Sequence, residues 1–150
     1  MDYLSLKKHV MELAEILADR PLVARAIECS GRSFALQLKR KGGDWSSLVF
    51  NLDNPDQGLR VAERAPELEK NSSLVRTANR LLTDSRLMSI ELAGSEGENR
   101  FDRVVKLHFV AIDSYFGNRS DYYLFCEFTG RIADIFICDA EHKILDRLSR

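Results

Sequence analysis

Apolar residues near the N-terminus recur with the period of an α-helix. Leu6, Val10 and Leu13 fall on one stripe, whereas the charged residues between them lie away from it. The pattern predicts a helix over Leu4–Leu17. Pro21 ends it, because the residue before a proline is pushed out of the helical region.

After this helix, apolar and polar residues alternate, which is typical of half-buried strands. In one such run Phe34, Leu36 and Leu38 alternate with smaller or polar residues. Turn residues separate the runs, and Gly42-Gly43 makes one of the turns. The strands predicted for this half of the chain are Leu22–Cys29, Ser33–Arg40, Trp45–Leu52 and a short edge strand over Gly58–Arg64.

A second helix is predicted over Ser73–Leu82, because Asn71-Ser72-Ser73 can cap its start and Leu74 and Ala78 supply an apolar side. Strand patterns then return. The predicted strands are Leu87–Leu92, Phe101–Ile112, Tyr122–Phe128 and Ile132–Cys138, with a short closing segment over Lys143–Leu148. Runs of antiparallel strands broken by two helices predict an α+β fold, an antiparallel β-sandwich with two main helices.

The charge balance limits the partners that the chain can attract. The sequence has 150 residues, enough for one domain, with 22 basic and 23 acidic residues and a net charge of −1. Such a balance gives no overall attraction to nucleic acid, so binding would need a local patch or another domain. Without a membrane-spanning run or a signal peptide, the sequence predicts a cytoplasmic protein with no membrane partner.

The residue types that build metal and catalytic sites are scattered. Cys29, Cys126 and Cys138 are widely spaced, and we expect them to be buried, reduced thiols. His9 and His108 lie in different predicted elements, without the spacing of metal ligands. The sequence contains no nucleophile elbow, P-loop or dinucleotide-binding motif. It therefore predicts neither enzyme activity nor a cofactor.

Two arginine-bearing segments are candidates for binding a ligand. Asp102-Arg103 opens a predicted strand, and arginine is a natural donor to a phosphate or a base edge. Arg76 and Arg80 are neighbours on one side of the second helix, with Arg86 just beyond it. Each segment also has a plainer interpretation, a surface ion pair in the first case and a solvated helix face in the second.

Taken together, several segments resemble the NFACT-N domain, long labelled the fibronectin-binding protein A N-terminal domain. Phe101-Asp102-Arg103-Val104-Val105 resembles the family's Asp-Arg signature. Glu127-Phe128-Thr129-Gly130-Arg131 resembles its hairpin of the form Glu-Leu-x-Gly-Arg, and Ile135–Asp139 resembles the strand after it. The order and spacing of these segments are kept over nearly the whole chain.

The resemblance implies a function in ribosome quality control. The family's proteins bind large ribosomal subunits obstructed by peptidyl-tRNA, recruit tRNA and promote C-terminal tailing of the stalled chain. Residues 1–150 would then be one NFACT-N domain of a longer protein, similar in fold to the N-terminal domain of formamidopyrimidine-DNA glycosylases. By residue-level match Asp102 and Arg103 would contact tRNA, with Arg76 and Arg80 as further basic candidates for binding tRNA or rRNA.

The sequence departs from the family pattern at three positions that bear on RNA binding. An acidic residue is usual where this chain has Ser5, an arginine where it has Asn79, and an asparagine where it has Asp134.

Two other functions compete with this one, a glycosylase and a protein-interaction domain. Glycosylases of the similar fold use an N-terminal proline and an adjacent glutamate, whereas Asp2 and Tyr3 follow Met1 here, so we expect no such chemistry. A protein-interaction domain, for adhesion or for docking on a ribosomal protein without direct RNA contact, fits the balanced charge.

Overall fold

The computed structural model describes residues 3–53, 57–65, 67–68, 71–93, 103–128 and 133–148. Within that part of the chain, helix α1 spans Tyr3–Ile16 and helix α2 spans Ser73–Leu82. The strands are β1 (Leu22–Cys29), β2 (Ser33–Lys39), β3 (Trp45–Asn51), β4 (Gly58–Ala62), β5 (Arg86–Leu92), β6 (Val104–Ile112), β7 (Arg119–Glu127), β8 (Asp134–Cys138) and β9 (Ile144–Arg147).

The described strands pair antiparallel in one sheet, in the order β4-β3-β2-β1-β5-β6-β7-β8-β9. This sheet consists of two half-sheets, β1–β4 and β5–β9, that meet at a narrow junction. At the junction Leu22 of β1 pairs with Arg86 of β5, and the Val23 amide donates to the Ser85 carbonyl at 2.8 Å. The predicted α+β class, with antiparallel strands and two helices, is confirmed.

One hydrophobic core takes side chains from both half-sheets. Phe34 of β2 and Phe50 of β3 are fully buried cross-strand partners, and their rings stack with centroids 4.7 Å apart. Phe109 of β6 joins the same cluster from the other half. The apolar stripe of α1 packs against this core through Leu6, Val10 and Leu13, as the helical period predicts.

Helix α2 joins the two half-sheets. Its N-cap is Ser72, whose hydroxyl accepts a hydrogen bond from the Val75 amide at 3.3 Å. The Ser73 and Thr77 hydroxyls donate to the Asp146 carboxylate of β9 at 2.6 and 2.7 Å. These bonds hold the first half of α2 against the last strand of the sheet.

Asn79 of α2 binds the open edge of β1. Its side-chain oxygen accepts from the Ala26 amide at 2.8 Å, and its side-chain nitrogen donates to the Ala26 carbonyl at 3.0 Å. Ala26 lies past the junction, where β1 no longer pairs with β5. The amide therefore replaces a missing strand partner and satisfies two backbone groups that burial would otherwise penalise.

The predicted elements agree with the structure except at some of their ends. The most consequential difference concerns the strand predicted to start at Phe101, because the described strand β6 starts at Val104. Phe101 and Asp102 lie outside the described residues. β7 starts at Arg119, three residues before the predicted Tyr122, since pairing with β6 extends along its whole length.

The cysteines are buried, as predicted. Cys29, Cys126 and Cys138 are at most 5% exposed, and each is a free thiol. Burial raises the pKa of all three thiols, which keeps them protonated and unreactive. Within the described ranges, no helix is long and apolar enough to cross a bilayer.

Candidate nucleic-acid interface

Arg103 lies immediately before β6, where the chain enters the second half-sheet. Its side chain is partly exposed, and its backbone carbonyl accepts a hydrogen bond from the Phe128 amide at 2.8 Å. Because Arg103 precedes the strand, the alternation of side chains along β6 does not decide where it points. Its partner in the predicted signature, Asp102, lies outside the described residues.

The fold brings two segments of the family resemblance together. Val104, which follows Arg103, pairs with Glu127 at the end of β7, and Glu127 pairs in turn with Asp134 at the start of β8. Arg103 and the first residues of the Glu-Phe-Thr-Gly-Arg segment therefore lie on neighbouring strands at one end of the sheet. Thr129, Gly130 and Arg131 of the second segment lie outside the described residues.

This end of the sheet carries charges of both signs. The Asp134 carboxylate lies 3.5 Å from the Arg147 guanidinium of β9. The Arg32 guanidinium, from the turn between β1 and β2, donates to the Ala133 carbonyl at 2.7 Å and links the two half-sheets here. Arg103 therefore lies in a mixed environment in which carboxylates are close to the cations.

Arg76 and Arg80 lie on the exposed side of α2, as predicted. Arg76 donates to the Asn71 carbonyl at 2.9 Å, which holds its guanidinium over the start of the helix. Arg103 is on the sheet and the other two arginines are on the helix, so the candidate residues span two elements. Asn79, where the resemblance leads us to expect an arginine, faces β1 instead, and its side chain is hydrogen-bonded to Ala26.

The outer face of the second half-sheet carries an aromatic cluster that the sequence did not predict. His108 stacks on Tyr123 with ring centroids 4.8 Å apart, and Phe125 stacks on Phe136 at 5.3 Å. His142, from the turn before β9, lies 4.9 Å from Tyr123. The strand register makes His108 and Tyr123 cross-strand partners, and the turn between β8 and β9 brings the distant His142 to the same ring.

Cations already cover ring faces in this cluster. The Lys106 ammonium lies 4.7 Å from the Tyr123 centroid, and the Arg147 guanidinium lies 5.7 Å from that of Phe136. Because the rings also stack on one another, the arrangement offers few open ring faces to a nucleic-acid base. We therefore assign the cluster to stabilisation of the sheet.

Asp121 of β7 is held as a carboxylate by two neighbours. Arg119 donates to it at 2.8 and 3.0 Å, and the His108 ring lies within hydrogen-bond distance at 2.7 Å. Hydrogen bonding to Arg119, with a further contribution from His108, lowers the pKa of Asp121 from 3.8 to about 2. A lowered pKa in the folded state stabilises the fold above the unfolded value, and this stabilisation is lost as the pH falls from 3.8 towards 2.

We expect Asp121→Asn to weaken the acid sensitivity of the fold. Between about pH 5 and pH 2 the natural chain should lose about 1 kcal/mol more unfolding free energy than the variant, allowing for solvent around Arg119. Urea unfolding at both pH values measures the difference. Equal losses in the two proteins would show that Asp121 does not contribute to acid unfolding.

Comparison with protein-family models gives no match, and no curated protein matches the sequence. Solved structures do match. The N-terminal domain of fibronectin-binding protein PavA from Streptococcus pneumoniae is 17% identical with a TM-score of 0.82, and the match covers 99% of this chain and 56% of that one. The N-terminal part of the fibronectin/fibrinogen-binding protein from Streptococcus suis is 15% identical with a TM-score of 0.79, covering 99% and 53%.

The fibrinogen-binding protein from Staphylococcus aureus gives a third match, 16% identical with a TM-score of 0.72, covering 99% of this chain and 50% of that one. This chain thus spans about half the length of the structures that it matches. The strands and helices described above are similar to theirs over nearly all of its length. The chain has the fold of the N-terminal domain of PavA and related proteins, the NFACT-N fold.

Proposed function

We propose that this chain is the tRNA- and large-subunit-binding module of a ribosome quality-control factor. The observation that supports this proposal most is the position of Arg103, which bonds to Phe128 next to the Val104–Glu127 pair. Two segments that resemble the family's signatures are distant in sequence, yet Val104 and Glu127 are paired at the same end of the sheet. A guanidinium at this position could contact a phosphate, with Arg76 and Arg80 on α2 adding charge.

The proposal predicts that Arg103→Ala weakens tRNA binding. Loss of one phosphate contact should lower the affinity roughly tenfold, or about 1.4 kcal/mol, and reduce the salt slope by about 1. The measurement is a titration of the chain with bulk tRNA and with purified large subunits between about 50 and 200 mM salt. The double variant Asp102→Ala/Arg103→Ala should bind no more tightly than the single one.

Arg60→Ala is the matched control for this experiment. Arg60 is exposed on β4, at the far edge of the sheet, so its removal changes the net charge equally without touching the candidate site. Binding by this variant should match that of the natural chain. If Arg103→Ala and Arg60→Ala bound tRNA and large subunits equally well, the assignment of Arg103 would be wrong.

A protein-interaction domain is the second candidate function. It is favoured by the similar structures, which are named for fibronectin or fibrinogen binding. The same purified chain can be tested on surfaces coated with fibronectin, fibrinogen or albumin. Saturable binding to either adhesion ligand, together with no salt-dependent binding to tRNA or large subunits, would favour this second function over the first.

A further inference from the structure

A cleft of about 390 Å³ opens on the outer face of the sheet where the two half-sheets meet. Directly opposed residues on neighbouring strands share a face of a sheet, and one such row crosses the junction. The row runs through Trp45, Lys39, Leu22, Arg86 and Val110. Lys39 and Arg86 therefore flank Leu22 with their backbones roughly 10 Å apart.

The loops beside this row add further positive charge. Arg20 follows α1 and Lys41 follows β2, and both are exposed and line the cleft. Arg20 has a φ of 52°, which is uncommon for a residue with a long side chain. The Arg86 guanidinium donates to the Arg20 carbonyl at 2.7 Å and holds this loop against β5.

The one carboxylate among the described lining residues is already paired. The Arg40 guanidinium donates to Asp19 through two nitrogens, each at 2.9 Å, and the Lys41 amide donates at 3.0 Å. Hydrogen bonding to Arg40 lowers the pKa of Asp19, which keeps the pair ionised at neutral pH. Four lining cations have no ion-pair partner among the described residues: Arg20, Lys39, Lys41 and Arg86.

Four uncompensated cations in one cleft stand out in a chain whose net charge is −1. A concave site lined by one sign of charge concentrates the field and attracts an anion of opposite charge. Planar guanidinium groups and lysine ammonium groups together are the usual ligands of phosphate oxygens. The cleft is therefore suited to a phosphate group.

The surroundings of the cleft match the rest of a nucleotide. An adjoining cleft of about 460 Å³ shares Leu22 and Arg86 with the first. The rest of its lining combines the apolar side chains of Met88, Val110 and Ile112 with the charged residues Asp84 and Arg119. At the other end of the row, Trp45 is 56% exposed beside Lys39. An exposed tryptophan next to a phosphate site provides a surface on which an unpaired base can stack.

We propose that this junction cleft binds the phosphate backbone of a single-stranded nucleic-acid segment, with Trp45 stacking on a neighbouring base. The proposal rests on the proposed function in so far as both require a nucleic-acid partner. The junction cleft and the candidate site at Arg103 are separate. Arg103 precedes β6, whereas Val110, which belongs to the row across the junction, lies near the other end of that strand, roughly 24 Å from Arg103.

Trp45 is the only tryptophan in the sequence, so its fluorescence reports on the cleft. The full chain is titrated with short single-stranded oligouridylate, and we expect salt-sensitive quenching. Lys39→Gln/Lys41→Gln should lower the affinity at least about tenfold and the salt slope by about 1.4, the value for two phosphate contacts on a single strand. Lys7→Gln/Lys8→Gln makes the same charge change on the exposed side of α1 and should behave like the natural chain. Circular dichroism of both variants checks that the fold is retained.

Two results would overturn the junction site: unchanged affinity of the Lys39→Gln/Lys41→Gln variant, or inorganic phosphate binding as tightly as the oligonucleotide. Arg103→Ala separates this proposal from the proposed function. If oligouridylate still quenches Trp45 fluorescence in Arg103→Ala but not in Lys39→Gln/Lys41→Gln, the junction cleft is supported. This holds even if tRNA binding proves independent of Arg103. Weaker tRNA binding by Arg103→Ala, with the lysine variant unaffected in both titrations, supports the proposed function and rejects the cleft.

Discussion

Phe50→Ala is expected to lower the free energy of unfolding by about 3–5 kcal/mol, the usual cost of removing a fully buried phenylalanine. Phe50 is completely buried, and its ring lies nearly parallel to that of Phe34, with an interplanar angle of 8°. The substitution removes the apolar contacts of the ring and leaves a cavity between β2 and β3. Equilibrium unfolding in urea, followed by circular dichroism, measures the change.

Phe116→Ala is the matched control, because it makes the same chemical change at a side chain that is 81% exposed. We expect the control to change the unfolding free energy by less than about 0.5 kcal/mol. A cost below about 1 kcal/mol for Phe50→Ala would mean that the core closes around the missing ring. That outcome would contradict the close packing of the two phenylalanine rings.

The core could be predicted from sequence because it depends on local periodicity. Phe34, Leu36 and Leu38 alternate along one strand, and all three are buried in the cluster that the two half-sheets share. The helical stripe through Leu6 and Val10 is buried in the same way. An apolar period of two residues in a strand, or of 3.6 residues in a helix, predicts which side of the element faces the core. The prediction does not require knowing which other element packs against that side.

The pairing of distant strands could not be predicted in this way. Leu22 and Arg86 are opposed at the junction, but nothing local to either residue identifies the other. The junction cleft depends on this pairing, because the pairing places Lys39 and Arg86 on the same face of the sheet. The stack of His108 on Tyr123 likewise follows from the β6–β7 register and not from any motif.

The candidate RNA site was predicted from the resemblance, and its chemistry stays a prediction. The structure adds the location of Arg103, next to the Val104–Glu127 pair, and it explains one departure from the pattern that the resemblance predicts. Asn79 lies where the resemblance predicts an arginine, and both polar atoms of its side chain bind the Ala26 backbone. From the sequence, Asn79 suggests only a lost RNA contact. The structure shows that its side chain instead holds the unpaired edge of β1.

Asn79→Leu is expected to lower the unfolding free energy by about 2–4 kcal/mol, since two backbone groups of Ala26 lose their partners. A leucine fills a similar volume but can neither accept from the Ala26 amide nor donate to its carbonyl. Urea unfolding again provides the measurement. Arg80→Leu makes a comparable change at the next, exposed position of α2 and should cost less than about 0.5 kcal/mol.

Asn79→Asp distinguishes hydrogen bonding from packing at the same site. The carboxylate keeps an acceptor for the Ala26 amide but turns a second acceptor towards the Ala26 carbonyl, so we expect it to destabilise the fold at neutral pH. Below about pH 4 the protonated carboxyl regains a donor, and the difference from the natural chain should shrink.

If Asn79→Leu were as stable as the natural chain, the Ala26 backbone groups would have to be satisfied by water, and α2 would not serve as the partner of β1 at this point. If Asn79→Asp were as stable as the natural chain at every pH, the same conclusion would follow. The Ala26 carbonyl can lose the Asn79 donor without cost only if water binds it instead.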